Sequence, residues 1–183
     1  SYYDTVFAFE GCTAISNVES NDNYDHNYQY EVLSMLGKSY EKDTIWYANQ
    51  FISKQDETLE AISTYFIDSP VYNYQIQIYV NNELKLTQND TTNISGYKTI
   101  KLDEKINLNK KDVFKVVIKV ETPNSIAKVQ LQTNDSYVFT KGTFKANCSF
   151  ISPDGEHWED IAYSTQYINA NVCIKAFTKD NFK

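Results

Sequence analysis

Arginine is missing from the 183-residue chain: the 17 basic residues are all lysines, set against 24 Asp and Glu for a net charge of −7. Arg is the side chain that takes phosphate and guanine in two-pronged hydrogen bonds. An acidic chain without it is a poor nucleic-acid binder and suits cations such as calcium better. Glycine and proline are scarce, at 5 and 3, so the turns must draw on the abundant Asn and Asp. Three cysteines, Cys12, Cys148 and Cys173, allow one disulfide at most, and their spacing is not that of a zinc site. Buried free thiols are the expectation for at least two of them, with a Cys148–Cys173 bridge as the alternative. No run of about 18 apolar residues exists, so no membrane span is expected. The start, SYYDTVFAFE, lacks the basic end and long apolar core of a signal peptide. It opens in strand-like sequence, as a piece of a longer protein would.

What is present is aromatic and alternating. Aromatics make up 15% of the chain, led by 15 Tyr, which is no disordered composition. The segment Ile45–Ile67 reads as two strands about a polar turn at Lys54–Glu57. In the first, Ile45, Tyr47 and Phe51 share one face, and Trp46, Ala48 and Ile52 the other. In the second, Leu59, Ala61, Tyr65 and Ile67 oppose Ile62 and Phe66. Apolar groups on both faces predict central strands buried on both sides, with Trp46 in the core. Tyr74–Val80 alternates with Ile76, Ile78 and Val80 inward and Gln75 and Gln77 outward. Asp112–Glu121 sends Phe114, Val116, Ile118 and Val120 in, and Lys115 and Lys119 out. Asn81-Asn82 predicts a tight hairpin with both residues at φ > 0, leading into a strand over Leu84–Thr87. Gln88–Gly96 reads as a polar loop, Lys98–Leu102 and Lys105–Leu108 as separate short strands, and Leu33–Lys42 as a short helix ended by Gly37 or an irregular segment. About a dozen short strands and no long helix predict an all-β sandwich or jelly roll.

The residues Trp46-Tyr47-Ala48-Asn49-Gln50-Phe51, followed by Glu57-Thr58-Leu59-Glu60-Ala61-Ile62-Ser63, resemble the core of a lectin-like domain that follows papain-type cysteine peptidases on clostridial and archaeal cell surfaces. Gly96-Tyr97 with Thr99-Ile100, Ser149-Phe150-Ile151-Ser152 with Asp154-Gly155 and Trp158, and Asn171–Ala176 fit the same pattern. The likeness covers nearly the whole chain. It places residues 1–18 in the tail of a preceding peptidase domain and 19–183 in the lectin-like sandwich, and it implies a galactose-binding-like jelly roll, often with a bound calcium. It transfers no catalytic residue, because Cys12 in Glu10-Gly11-Cys12-Thr13 has none of the setting of a papain-type nucleophile.

Two constellations stand out. Glu19, Asn21, Asp22 and Asp25 put four oxygen-bearing side chains within seven residues, with Glu31 just beyond. Calcium takes six to eight oxygens, so these four are the candidate metal ligands, with Asp160 as a remote one; the plainer alternative is a solvated linker. The second is Ser152–Trp158, where Pro153-Asp154-Gly155 is strong turn chemistry. Trp158 is either a platform for a sugar ring or an aromatic packed under its own hairpin, the latter being the default for a large aromatic. Tyr24, Tyr72 and Tyr137, read as loop residues, are the other candidates for exposed stacking. His26 and His157 each have a carboxylate neighbour, which is no evidence of catalysis, and a Cys12–His157 dyad would need the fold to bring the two together.

The expectation is therefore a non-catalytic lectin-like accessory domain of a secreted cell-wall cysteine peptidase. Its partners are that peptidase domain and either cell-wall polysaccharide or surface-layer protein, and its calcium is structural. A ligand-free structural spacer of a surface protein is the alternative, and a glycan-cleaving enzyme, which needs paired carboxylates at a set separation, is a third.

Overall fold

The computed structural model describes residues 15, 18, 20, 22–31, 36–39, 42–67, 71–133, 144–164 and 170–181. Among them there are thirteen strands and no helix. These are β1 (His26–Tyr28), β2 (Leu36–Ser39), β3 (Thr44–Ile52), β4 (Glu57–Phe66), β5 (Tyr72–Val80), β6 (Glu83–Thr92), β7 (Gly96–Leu108), β8 (Val113–Glu121), β9 (Lys128–Thr133), β10 (Ser149–Ser152), β11 (Glu159–Asp160), β12 (Ala170–Val172) and β13 (Lys175–Asp180). They form a six-stranded sheet ordered β11-β10-β3-β8-β5-β6, a four-stranded sheet β1-β13-β4-β7, and a small sheet β12-β9-β2. The all-β sandwich expected from the alternation is the fold observed. The tail proposed for residues 1–18 lies almost wholly outside the described residues.

The core is built chiefly from the inward residues of the two larger sheets, joined by Val129 and Leu131 of β9 and Val172 of β12. Ile45, Tyr47 and Phe51 of β3, Phe114, Val116 and Ile118 of β8, and Ile76 and Ile78 of β5 are all at most 2% exposed. Leu59, Ile62 and Phe66 of β4 are buried to the same degree. The two central strands do not pair with each other. β3 lies against β8 and β10, β4 against β7 and β13, so residues 53–56 carry the chain from one sheet to the other. Ser53 holds this corner, its hydroxyl donating to the carbonyls of Gln55 (2.9 Å) and Asn109 (2.7 Å). A register shift between Leu59 and Ala61 explains the mixed pattern of β4, because a bulge flips which residues face the core.

Two motif residues are clasps across the core. The fully buried Asn49 donates from Nδ2 to the carbonyls of Val172 (2.9 Å) and Ile174 (3.2 Å), and its Oδ1 accepts from the Ser149 hydroxyl (2.6 Å). It thereby ties β3 to the chain between β12 and β13. The buried Glu57 carboxylate accepts from the Tyr28 and Thr178 hydroxyls and from Lys54 N–H, joining β4, β1 and β13. A buried carboxylate needs such donors, since an ion left without them costs several kcal/mol.

Several local expectations change. Asn81 and Asn82 do take φ of 50° and 68°, and the hairpin they close runs on as a ten-residue strand to Thr92, where a loop was read. β6 is an edge strand, so only Leu86, Gln88 and Thr92 are buried and the rest reads as polar. The two strands expected over 98–108 are one thirteen-residue strand, β7, also at an edge. Between these edges the Gln88 side chain donates to Lys101 O (3.1 Å) and accepts from Asp103 N–H (3.0 Å), standing in for a backbone partner. Leu36–Ser39 is a strand paired with β9 and not the end of a helix. Cys148 and Cys173 are free thiols, so no bridge joins them; Cys12 lies outside the described residues.

Candidate functional site

The inward halves of β3, β8 and β5 are spent on the core; their outward halves make the site. Register sets Phe150, Ala48, Val117 and Gln77 in one row across β10, β3, β8 and β5, and Trp46, Lys119 and Gln75 in the adjacent row. Gln50, Lys115 and Tyr79 form a third. Polar and aromatic side chains thus predominate on the face of a sheet whose other side is mostly apolar, with Asn49 and Ser149 as buried polar exceptions.

Along β5 these side chains are linked. Tyr79 donates its hydroxyl to Gln77 Oε1 (3.0 Å), Gln77 Nε2 donates to Gln75 Oε1 (2.9 Å), and Gln75 Nε2 donates across to Asn89 Oδ1 on β6 (2.9 Å). Each amide in the ladder keeps a second N–H and a second lone pair for an outside partner. The ladder runs between two hollows. One, of about 320 Å³, has Asn73, Gln75, Asn89 and Asp90 with the Lys119–Glu121 ion pair in its walls. There the Tyr74 hydroxyl donates to Asp90 (2.8 Å), and burial together with that carboxylate pushes the phenol's pKa up. The other, of about 260 Å³, has Gln77, Tyr79 and Val117 as its floor, with Trp46, Trp158 and Lys115 beside them and Asn82 and Gly155 at its border.

The hairpin Ser152–Trp158 is the wall of this second hollow, and its shape follows from its sequence. Asp154 accepts from the backbone N–H groups of His157 (2.8 Å) and Glu156 (2.9 Å) and from the His157 ring (2.8 Å). These bonds hold its carboxyl well below the usual carboxylate range. The Ser152 hydroxyl accepts from Gly155 N–H (2.8 Å). Gly155 sits at φ +83° and lies flat on the Trp46 ring, where an added Cβ would fall 2.9 Å from Cε2. Only glycine meets both demands. Trp158 donates its indole N–H to Gly155 O (2.9 Å). Trp46, expected in the core, is therefore half-buried on the outer face, with the hairpin on its ring and Lys119 Nζ 5.4 Å from its centroid.

The candidate residues fall as follows. Trp158 is half-buried and lines the hollow. Tyr72, expected as an exposed loop ring, is a strand residue only 1% exposed, packed on Phe66 with its hydroxyl 2.7 Å from Ser95. It starts β5, whose alternation turns it inward, so it has no stacking face to offer. Tyr24 stacks on Phe177 at 5.0 Å, which occupies one face of its ring. Tyr137, Glu19 and Asn21 lie outside the described residues. Asp22 is exposed and its carboxylate accepts from Ser20, a bond that lowers its pKa. Asp25 is half-buried and caps β13, accepting from Asp180 N–H (3.0 Å). Asp160 accepts from the N–H groups of Asn147 (2.6 Å) and Ala162 (3.0 Å) and so serves its own loop. Among the described residues no three His, Cys, Asp or Glu converge as a metal site. His26 pairs with Asp180 (2.7 Å) rather than Asp25. His157 is exposed and held by Asp154.

The face itself, with Lys115, Gln77 and Tyr79 at its centre, was not singled out from the sequence. The signal was present in the outward positions of two cleanly alternating strands, which carry amides and lysines rather than an arbitrary polar mixture.

The chain matches the family model described as the lectin-like domain over residues 27–178. Two solved structures resemble it, each with a TM-score of 0.77 and 21% identity over 91% of this chain. One comprises the cysteine protease and lectin-like domains of Cwp84, a surface layer associated protein of Clostridium difficile, and this chain covers 38% of it. The other is the clostridial cysteine protease Cwp84 after propeptide cleavage, of which 43% is covered. The chain thus spans less than half the length of either. No curated protein matches the chain. Among the described residues no helix is long and apolar enough to cross a membrane.

Proposed function

Because the chain belongs to the lectin-like domain family, we propose that it is a non-catalytic accessory module that holds a secreted cysteine peptidase against its substrate at the cell wall or surface layer. The observation that carries this reading is the outer face of the six-stranded sheet. Its Trp46, Tyr79 and Trp158 rings, its amide ladder and its two hollows have the makings of a recognition surface: a few convergent polar groups beside aromatic walls. The peptidase partner rests on the two cysteine protease structures of similar fold, and the surface location on the one described as a surface layer associated protein.

Calcium is the second component of the proposal. Donor chemistry supports it: Asp22 and Asp25 offer hard oxygens in the acidic segment, and hydrogen bonding favours the ionised form of Asp22. With Glu19 and Asn21 they would hold the ion and pin the segment that leads into β1. EDTA should then lower the melting temperature, and excess calcium should restore it; identical melts would remove calcium from the proposal.

A ligand-free spacer is the competing reading. In its favour, Trp46 already bears Gly155 on its ring and Tyr24 already stacks on Phe177. The test is retention of the 183-residue chain on purified cell-wall polysaccharide and on surface-layer protein, in calcium and in EDTA. Retention on either supports the accessory module, and retention on neither leaves the spacer.

A further inference from the structure

We infer that the hollow between Trp46, Tyr79 and Trp158 is a binding site for one anionic sugar unit of a glycan, with Lys115 taking the anionic group. This deepens the accessory reading and rests on it.

The cation is the starting point. Carboxylates outnumber lysines 24 to 17, and three other lysines of the sheets have carboxylate partners: Lys85 with Glu83 (2.7 Å), Lys105 with Glu60 (2.6 Å), and Lys119 with Glu121. Lys115, half-buried at the middle of β8, has no carboxylate within ion-pair distance among the described residues. Its ammonium stands 4.6 Å from the centroids of both Phe150 and Trp158. Two aromatic faces hold a cation in place without neutralising it. Burial lowers its pKa, and no charged neighbour opposes this. An ammonium carries three donors, and Lys115 lines the hollow. A partner that brings a carboxylate or phosphate supplies the missing charge.

The rest of the lining says what carries that anion. A volume of about 260 Å³ falls just below the roughly 300–1,000 Å³ of sites for drug-sized ligands, which suits a single ring. Gln77 and Asn82 present amide donors and acceptors of the kind that match ring hydroxyls. Gln77 is already oriented by its bonds to Tyr79 and Gln75, so little side-chain entropy is lost on binding. Val117 and the indole edges supply the apolar surface for the C–H face of a sugar. A bare anion would satisfy Lys115 alone and leave the remainder of the site unused.

The test titrates the labelled 183-residue chain with glucuronic acid, glucose 6-phosphate, glucose and inorganic phosphate, following the amide resonances of β5, β8 and residues 155–158. The two acidic sugars should bind in the millimolar range or tighter, at least tenfold better than glucose or inorganic phosphate, with shifts centred on residues 77, 115 and 158. Whichever acid binds better identifies carboxylate or phosphate as the natural group. Lys115→Gln should abolish the preference for acids while leaving glucose unchanged, and Gln77→Ala should weaken all three sugars. Equal binding of glucose and the acids, shifts elsewhere on the surface, or no shifts at all would overturn the inference. Retention on polysaccharide separates the two readings: if Lys115→Gln is retained as well as the parent, the accessory module stands and this site falls. Retention on surface-layer protein alone, with these amides shifting, would overturn the glycan assignment.

Discussion

Glu31→Gln replaces a carboxylate that the fold holds at some cost. Glu31 is 3% exposed, and among the described residues neither of its side-chain oxygens makes a hydrogen bond of normal geometry. Burial pushes its pKa from the ordinary 4.5 up to about 7, with its own and Tyr30's backbone N–H groups and Lys175 pulling the other way. The unfolded chain releases this proton near 4.5, whereas the folded chain keeps it to about 7, so raising the pH through that window favours unfolding. At about 1.4 kcal/mol per tenfold, ionising Glu31 in the fold costs on the order of 3 kcal/mol. Glutamine carries no such penalty at any pH. Urea unfolding of parent and variant in EDTA, at intervals from pH 4 to pH 8.5, should give equal stabilities below about pH 4.5. A difference should then grow through pH 7 and level off with the variant ahead by about 3 kcal/mol. Taking the difference cancels the other titrating groups, several of which, such as Asp90 and Asp112, have lowered pKa values and weaken the fold from the acid side. A difference that stays flat with pH, or a parent that is the more stable at pH 8.5, would refute the reasoning, since either outcome means that the ionised carboxylate has a partner in solution.

Gly155→Ala should destabilise by about 2–4 kcal/mol, combining the left-handed backbone cost with the overlap against Trp46, and should shift the tryptophan fluorescence as the hairpin lifts from the ring. Little loss in a thermal melt would mean that the hairpin does not rest on Trp46 in solution. Asn49→Ala strands two carbonyls and a hydroxyl in the core and should cost about 3–5 kcal/mol, read by urea unfolding; a cost under about 1 kcal/mol would show that β12 and β13 are held by other means.

How far the sequence carried depends on what each residue's signal was about. The strands Tyr72–Val80 and Val113–Glu121 were legible because each has one apolar face and one polar face, and alternation of period two has a single reading. The Asn81-Asn82 turn was legible because φ > 0 in a chain short of glycine falls to asparagine; Asn124 and Asn147 are further cases. The second half of β6 was read as a loop, and β7 as two short strands, because edge strands expose most of their side chains, which erases the hydrophobic signal while leaving the backbone pairing intact. Trp46 was misplaced for a related reason. Alternation assigns it to the face opposite Tyr47 but says nothing of what lies over that face, and the hairpin that covers it begins more than a hundred residues later. Tyr72 shows the reverse: it was read as a loop residue, whereas the inward phase of β5 governs. In the acidic segment, composition gives donor types but not convergence, and that is the part of the site the sequence could not rank.

Gln88 has a consequence beyond its two hydrogen bonds. A sandwich of open sheets exposes edge strands, each able to accept a strand from another molecule. Here β1 and β11, the outer strands at one side, are three and two residues long, too short to template much. The long edges β6 and β7 lie on the other side, and the Gln88 amide occupies the Lys101 carbonyl and the Asp103 N–H midway along β7, where an incoming strand would have to bond. One side chain thus takes up polar groups through which a neighbouring molecule would join this edge of the sheet.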